Sequence, residues 1–170
     1  MISGIYAWDL KDIICIMAAG LGIWSILSAA FQKKHWWFAC NIVLLVISVY
    51  GILRYTVFGR TSSGFHEFVL LAPFSDEFWR EMLMNIFLFF PLGLSLGNVL
   101  KSYFYICFIG TIFSLAIEGW QFLAGTGLAQ GSDVFCNGIG VAIGALVVMF
   151  GKLCRNLPKY GKKVRGLSDN

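Results

Sequence analysis

Residues 114–144 read SLAIEGWQFLAGTGLAQGSDVFCNGIGVAIG, two apolar runs joined by a turn of glycines and small polar residues. Extended outward, the runs reach from Tyr103 to about Ala124 and from Asp133 to about Leu153. Each is close to the roughly 20 residues that a helix needs to cross a hydrocarbon core. Set into these runs are Glu118, Gln121, Asp133 and Asn137. An ionisable side chain inside hydrocarbon costs about 2.5–3.5 kcal/mol on insertion scales, so it is rarely there without a partner or a function. Glu118 is the residue that most needs a reason.

Composition agrees with a membrane origin. The chain of 170 residues is 58% hydrophobic and 13% charged, against about 45–50% and about 25% for soluble domains. That length holds one bundle of about five spans and no sizeable soluble domain. Cys15, Cys40, Cys107, Cys136 and Cys154 are far apart with no C-x-x-C pair, and His35 and His66 stand alone. Neither a disulfide framework nor a metal site is expected, and no cofactor is implied.

In chain order the expected spans are 13–31, 36–58, 82–100, 103–124 and 133–153. The first lacks the basic leader and cleavage site of a signal peptide and reads as a retained span. The long connection 59–81, GRTSSGFHEFVLLAPFSDEFWRE, alternates apolar patches with charge, as an interfacial or re-entrant segment does. In the third span Pro91 removes a backbone donor. Gly93 and Gly97 there, and Gly140 and Gly144 in the fifth, have the small-xxx-small spacing that lets helices approach closely.

Lysines and arginines concentrate on cytoplasmic loops. Lys33–Lys34, Lys101 and the basic tail over 154–170 then fall on one side, which places the N-terminus outside and the C-terminus in the cytoplasm. The fold class is therefore all-α, a polytopic transmembrane bundle forming one membrane-embedded domain over 1–170. Arg54, Arg60 and Arg80 fall on the outer side against this rule. Arg54 reads as snorkelling to the headgroups or as a fixed positive charge at the mouth of a cavity, and Arg60 and Arg80 as the rim of a site. With this topology Asn85, Glu118, Gln121, Asp133 and Asn137 meet at one level near the outer surface. Glu118 and Gln121 share a face at a spacing of three, Asp133 and Asn137 at a spacing of four. Asp133 also suits the first turn of its helix, where the dipole favours an acid.

These residues carry a family resemblance. FWREMLMNIFLFFPLG (78–93), then IEGWQF (117–122), a glycine-rich turn and SDVFCNGIG (132–140), with LLAPF (70–74) upstream, resemble the VanZ-like family of membrane proteins over roughly 70–144. The resemblance implies a multi-pass protein of a Gram-positive cell membrane, linked through the founding member to low-level resistance to teicoplanin, a lipoglycopeptide. Members usually carry an acid three positions before the aspartate of the last motif. Here that position is Gln130, and the turn GTGLAQGS is uncharged. The difference favours recognition over catalysis by two carboxylates.

The expected function is thus an outward-facing polar pocket made of Glu118, Gln121, Asp133, Asn137 and Asn85, with Arg80 and Arg60 at its rim. Its ligand would be amphiphilic or lipid-linked, a cell-wall precursor or lipoglycopeptide among the membrane lipids. One alternative is an enzyme on a lipid or polyprenyl substrate with Glu118 as general acid or base. No nucleophile–base pair accompanies it, so an enzyme is the less favoured reading. The other alternative is a small proton- or solute-coupled transporter, whose usual inverted repeats are not visible. A net charge of +4 with its basic residues at the membrane edge gives no basis for nucleic-acid binding.

Overall fold

A computed structural model describes residues 34–58, 60, 64, 66–70 and 76–168. The expected first span 13–31, the N-terminus, Cys15 and residues 71–74 of the LLAPF motif lie outside the described residues. Four helices make up most of the rest: α1 (Lys34–Leu53), α2 (Asp76–Val99), α3 (Tyr103–Ala124) and α4 (Gly131–Ser168). A π-helical turn, Arg54–Phe58, extends α1. Each helix contains a segment long and apolar enough to cross a membrane: Trp37–Phe58, Phe78–Val99, Tyr103–Ala124 and Gly131–Cys154.

Three of these segments match the expected spans to within two residues at each end. At the fourth, helix begins at Asp76 rather than Met82. No glycine or proline interrupts residues 76–81, so nothing stops the helix from starting early. Phe78, Trp79 and Arg80 therefore belong to the first turns of α2 and not to the preceding connection. The helix also runs unbroken through Pro91. At the far end α4 stays helical beyond the expected span, into the basic tail.

The most extensive interface is between α2 and α4; α1 packs on α2, and α3 on α4. Glycine makes the α2–α4 contact possible. A Cβ on Gly144 would overlap the Phe90 carbonyl oxygen and lie 2.8 Å from the Leu94 nitrogen, and one on Gly140 would overlap the Ile86 carbonyl oxygen. The two backbones touch where side chains would otherwise stand. Without a hydrophobic driving force between helices in lipid, such van der Waals contact is what holds them together. Around it lies a core of Ile52, Phe89, Leu92, Leu96, Ile106, Ile117, Val141 and Ala145. Phe104, Tyr105, Phe108, Ile112, Leu115 and Leu123 remain exposed along α3, an apolar face that hydrocarbon can solvate.

Several polar side chains inside these helices bond their own preceding turn, although Asn41 Oδ1 in α1 is buried without a partner among the described residues. Ser48, Thr56 and Ser95 hydroxyls donate to the carbonyls of Leu44, Ile52 and Leu92. Asn98 donates to the carbonyl of Leu94. A side chain that bonds its own preceding turn needs no other partner. The polar residues at the end of the bundle where α3 stops and α4 starts follow a different pattern.

Candidate functional site

The turn between α3 and α4 is shaped by Gly125. Its φ of 60° and ψ of 31° place it in the left-handed region, and its N–H caps the carbonyls of Gln121 and Phe122. Glycine takes this conformation without a Cβ penalty, which is why it ends helices. The chain then runs through Ala129–Gln130 (β2), which pairs in parallel with Phe68–Val69 (β1), Phe68 opposite Ala129 and Val69 opposite Gln130. Residues 66–70 of the connection that precedes α2 are thereby strapped across this end of the bundle. Further bonds hold the strap: Gly64 N–H to the Gly125 carbonyl at 3.1 Å, Ala129 N–H to the Glu67 carbonyl at 3.1 Å. His66 Nδ1 lies 2.7 Å from the Phe122 carbonyl. His66, which stands alone in the sequence, is thus a latch on the end of α3.

Under the strap lie the polar residues. Glu118 is 5% exposed, Gln121 1% and Asn137 3%. The Gln130 N–H donates to Glu118 Oε2 at 2.9 Å. Gln121 bridges two elements: its Oε1 accepts from Arg60 Nη1 at 3.1 Å, and its Nε2 donates to the Thr56 carbonyl at 3.2 Å. Thr56 sits in the π-helical turn, where terminal carbonyls lack partners along the helix; Gln121 supplies one. Asp133 stands in the first turn of α4, with its carboxylate hydrogen-bonded by Asn85 from α2. The Arg60 charge acts on both Glu118 and Asp133, and the two carboxylates act on each other. One turn deeper, Asn137 Nδ2 donates to Ser114 Oγ at 2.8 Å, while Asn137 Oδ1 is buried without a partner.

Five of the seven residues singled out from the sequence, Asn85, Glu118, Gln121, Asp133 and Arg60, are joined here through these bonds and fields, whereas Asn137 bonds Ser114 one turn deeper. Arg80 is exposed on the first turns of α2. Besides the Thr56 carbonyl, three participants were not expected in these roles. Ser114 pairs with Asn137; its position four residues before Glu118 puts it on the same face of α3, a signal that was readable. The backbone of Gln130 holds Glu118, although its side-chain Oε1 accepts instead from Ser132 Oγ at 3.3 Å. Gly127 makes room for Arg60: a Cβ there would lie 2.8 Å from Arg60 Nη1. Among the described residues no three His, Cys, Asp or Glu side chains come together in a way that could hold a metal ion.

The glycine at 127 gives a direct test of how Arg60 is held. Gly127→Ala should push the guanidinium off Gln121 and lower unfolding stability by about 0.5–1 kcal/mol, the cost of one hydrogen bond, since the tip of the Arg60 side chain can shift. Arg60→Lys, with a more slender head, should restore part of the loss in the Gly127→Ala background. Denaturant titration in mixed micelles measures both, and equal loss in the two variants would show that the guanidinium does not occupy this gap.

Helices able to span a membrane, closed at one end by a strap over buried charged and amide side chains, define a membrane protein with a polar cluster at one end of its bundle. The sequence profile of the VanZ/LLP1 family matches residues 42–153. That is more than half of the chain, and the chain belongs to this family. The match takes in most of α1, which lies outside the resemblance over roughly 70–144. No curated protein and no solved structure matches the chain.

Proposed function

We propose that this VanZ/LLP1 membrane protein recognises an amphiphilic or lipid-linked envelope ligand at the outer face of the cell membrane, and that its role is linked to teicoplanin-type glycopeptide susceptibility. The observation that carries the reading is buried Glu118 and Gln121 with half-buried Arg60, Asp133 and Asn85 beside them. Fixed, desolvated polar groups of both signs at headgroup depth can bind the polar part of an amphiphile while its apolar part stays in lipid. A cluster serving only to join helices would need no ions, since neutral amides bond across helices for about 0.6 kcal/mol each without the insertion cost of a charge.

Sidedness is supported by the basic residues at the other end. Lys34 opens α1, Lys101 lies between α2 and α3, and Lys152 Nζ donates to the Gly97 carbonyl at 2.6 Å. These share one end of the bundle, which the positive-inside rule assigns to the cytoplasm. The polar cluster is then outward-facing, with Arg60 at its rim.

Glu118→Gln tests the reading, because glutamine keeps an acceptor for the Gln130 N–H while removing the charge. In a Gram-positive host, at matched protein level, the variant should lose the protein's effect on teicoplanin susceptibility and the envelope lipids that copurify with it. Unchanged susceptibility together with unchanged copurifying lipid would overturn the proposal.

A further inference from the structure

Beyond its span α4 does not stop. The membrane-crossing segment ends at Cys154 and the helix runs on to Ser168, about 20 Å at 1.5 Å per residue. Within the span α4 has two distinct sides. Val141, Ala145 and Val148 are buried against the bundle, and one turn further Lys152 Nζ reaches the Gly97 carbonyl of α2. On the opposite side Leu146, Met149, Phe150 and Leu153 are exposed, where hydrocarbon can cover them. Each residue turns the helix by about 100°, so both sides can be followed past Cys154. Arg155, Lys159, Lys162, Lys163 and Arg165 occupy positions on the side of Lys152, within an arc of about 160°. Leu157, Tyr160, Val164 and Leu167 occupy positions in phase with Phe150 and Leu153, within about 100°. No acid occurs between Cys154 and Asp169.

We infer that α4 beyond Cys154 is an interfacial helix that bends at Pro158 and lies on the anionic lipid surface at this end of the bundle. A basic side opposite an apolar side is the pattern that seats a helix in the headgroup region, by burial of one side and attraction of the other to anionic lipid. The direction of the bend follows from the position of Pro158, which falls on the basic side. It offers no N–H to the Cys154 carbonyl, and its ring clashes with that carbonyl. The helix therefore opens on the basic side and bends towards the apolar one. As it tips away from the bundle in that direction, the side in phase with the lipid-exposed residues turns to face the leaflet. The basic side turns to water, and long Lys and Arg stems can reach back to the phosphates. A nucleic acid would engage the basic side alone and leave Leu157, Tyr160, Val164 and Leu167 unused, whereas a lipid surface engages both. The inference is independent of the polar cluster and of its ligand.

The test places the purified full chain, one copy per nanodisc, in phosphatidylcholine alone and in an equal mixture with phosphatidylglycerol, and reads amide hydrogen exchange over residues 155–168. Exchange should be about tenfold slower in the mixed lipid, and about 1 M salt, which screens charges beyond ~3 Å, should remove most of the difference. Leu157→Ser with Val164→Ser should abolish it, as should Lys162→Glu with Lys163→Glu. Asn156→Ser, between the two sides, should leave it unchanged. Pro158→Ala isolates the bend: the straightened helix should keep its own hydrogen bonds in either lipid and lose most of the slowing due to phosphatidylglycerol. Equal exchange in the two lipids overturns the inference, and that comparison uses only wild-type protein, so it stands even if a variant fails to fold. Slowing that survives both serine substitutions overturns it as well, because the basic residues then act alone. Full slowing in Pro158→Ala removes the bend. Slowing by an RNA oligonucleotide in pure phosphatidylcholine, with none from phosphatidylglycerol, overturns the lipid surface in favour of a nucleic acid.

Discussion

Gly144→Val is expected to cost about 3 kcal/mol of unfolding stability and to separate α2 from α4. The reason is backbone, not side chain. A Cβ at 144 would overlap the Phe90 carbonyl and press on the Leu94 nitrogen and the Gly93 carbonyl carbon, and main-chain atoms inside a helix cannot swing aside as the tip of a side chain can. The helices must move apart, and because dispersion contacts fall off steeply, a gap of an ångström forfeits much of their attraction. Overpacking usually costs about 1–3 kcal/mol; the upper end applies here because the neighbours are rigid. The consequence reaches the site, since α4 carries Asp133 and Asn137 and α2 carries Asn85. Gly51→Val and Gly151→Val are the controls, for nothing among the described residues lies within 4 Å of a Cβ at either position. Equilibrium unfolding in mixed micelles should find both near wild type. If Gly144→Val matched them, close α2–α4 packing would not be what stabilises the bundle.

Glycine spacing, hydropathy and chain length made this packing legible in the sequence. Small-xxx-small pairs at Gly93–Gly97 and Gly140–Gly144 marked the two helices, and α2 and α4 do form the most extensive interface. The site was legible to the extent that helical periodicity fixes faces. Glu118 with Gln121, and Asp133 with Asn137, needed only a spacing of three or four residues. What was not legible depends on irregular chain. Arg60 and Arg80 are alike in sequence, and it takes the strap and the gap at Gly127 to bring Arg60, and not an arginine on the exposed first turns of α2, onto Gln121. Residues 68–69 have no strand pattern of their own; two residues become a strand because Ala129–Gln130 passes beside them. The bond from the Gln130 backbone to Glu118 is invisible for a similar reason. It depends on the path of the turn and not on the identity of the side chain, which is why the missing acid at 130 says little about how Glu118 is held.

Arg60→Ala is expected to destabilise the protein by about 2–3 kcal/mol, and Glu118→Gln should recover about half of that loss. Removing one partner from a buried ionic set costs ~3–5 kcal/mol, because the charges left behind are uncompensated. Arg60 is only half-buried, so solvent screening reduces the figure. In the variant Glu118 and Asp133 would face each other without a cation, and Gln121 Oε1 would lose its donor. Glu118→Gln in that background removes one of the two charges while preserving an acceptor for the Gln130 N–H. Made alone in the wild-type background, the same substitution should be neutral or slightly stabilising, since one carboxylate then faces one guanidinium. A residue that lowers stability where it stands and is nonetheless needed for ligand retention is positioned for binding rather than for folding. The four proteins form a double-mutant cycle, with an expected coupling of about 1–2 kcal/mol between positions 60 and 118. Additivity within ~0.3–0.5 kcal/mol would mean that Arg60 does not act on Glu118, and marked destabilisation by Glu118→Gln alone would make that carboxylate a structural element of the bundle.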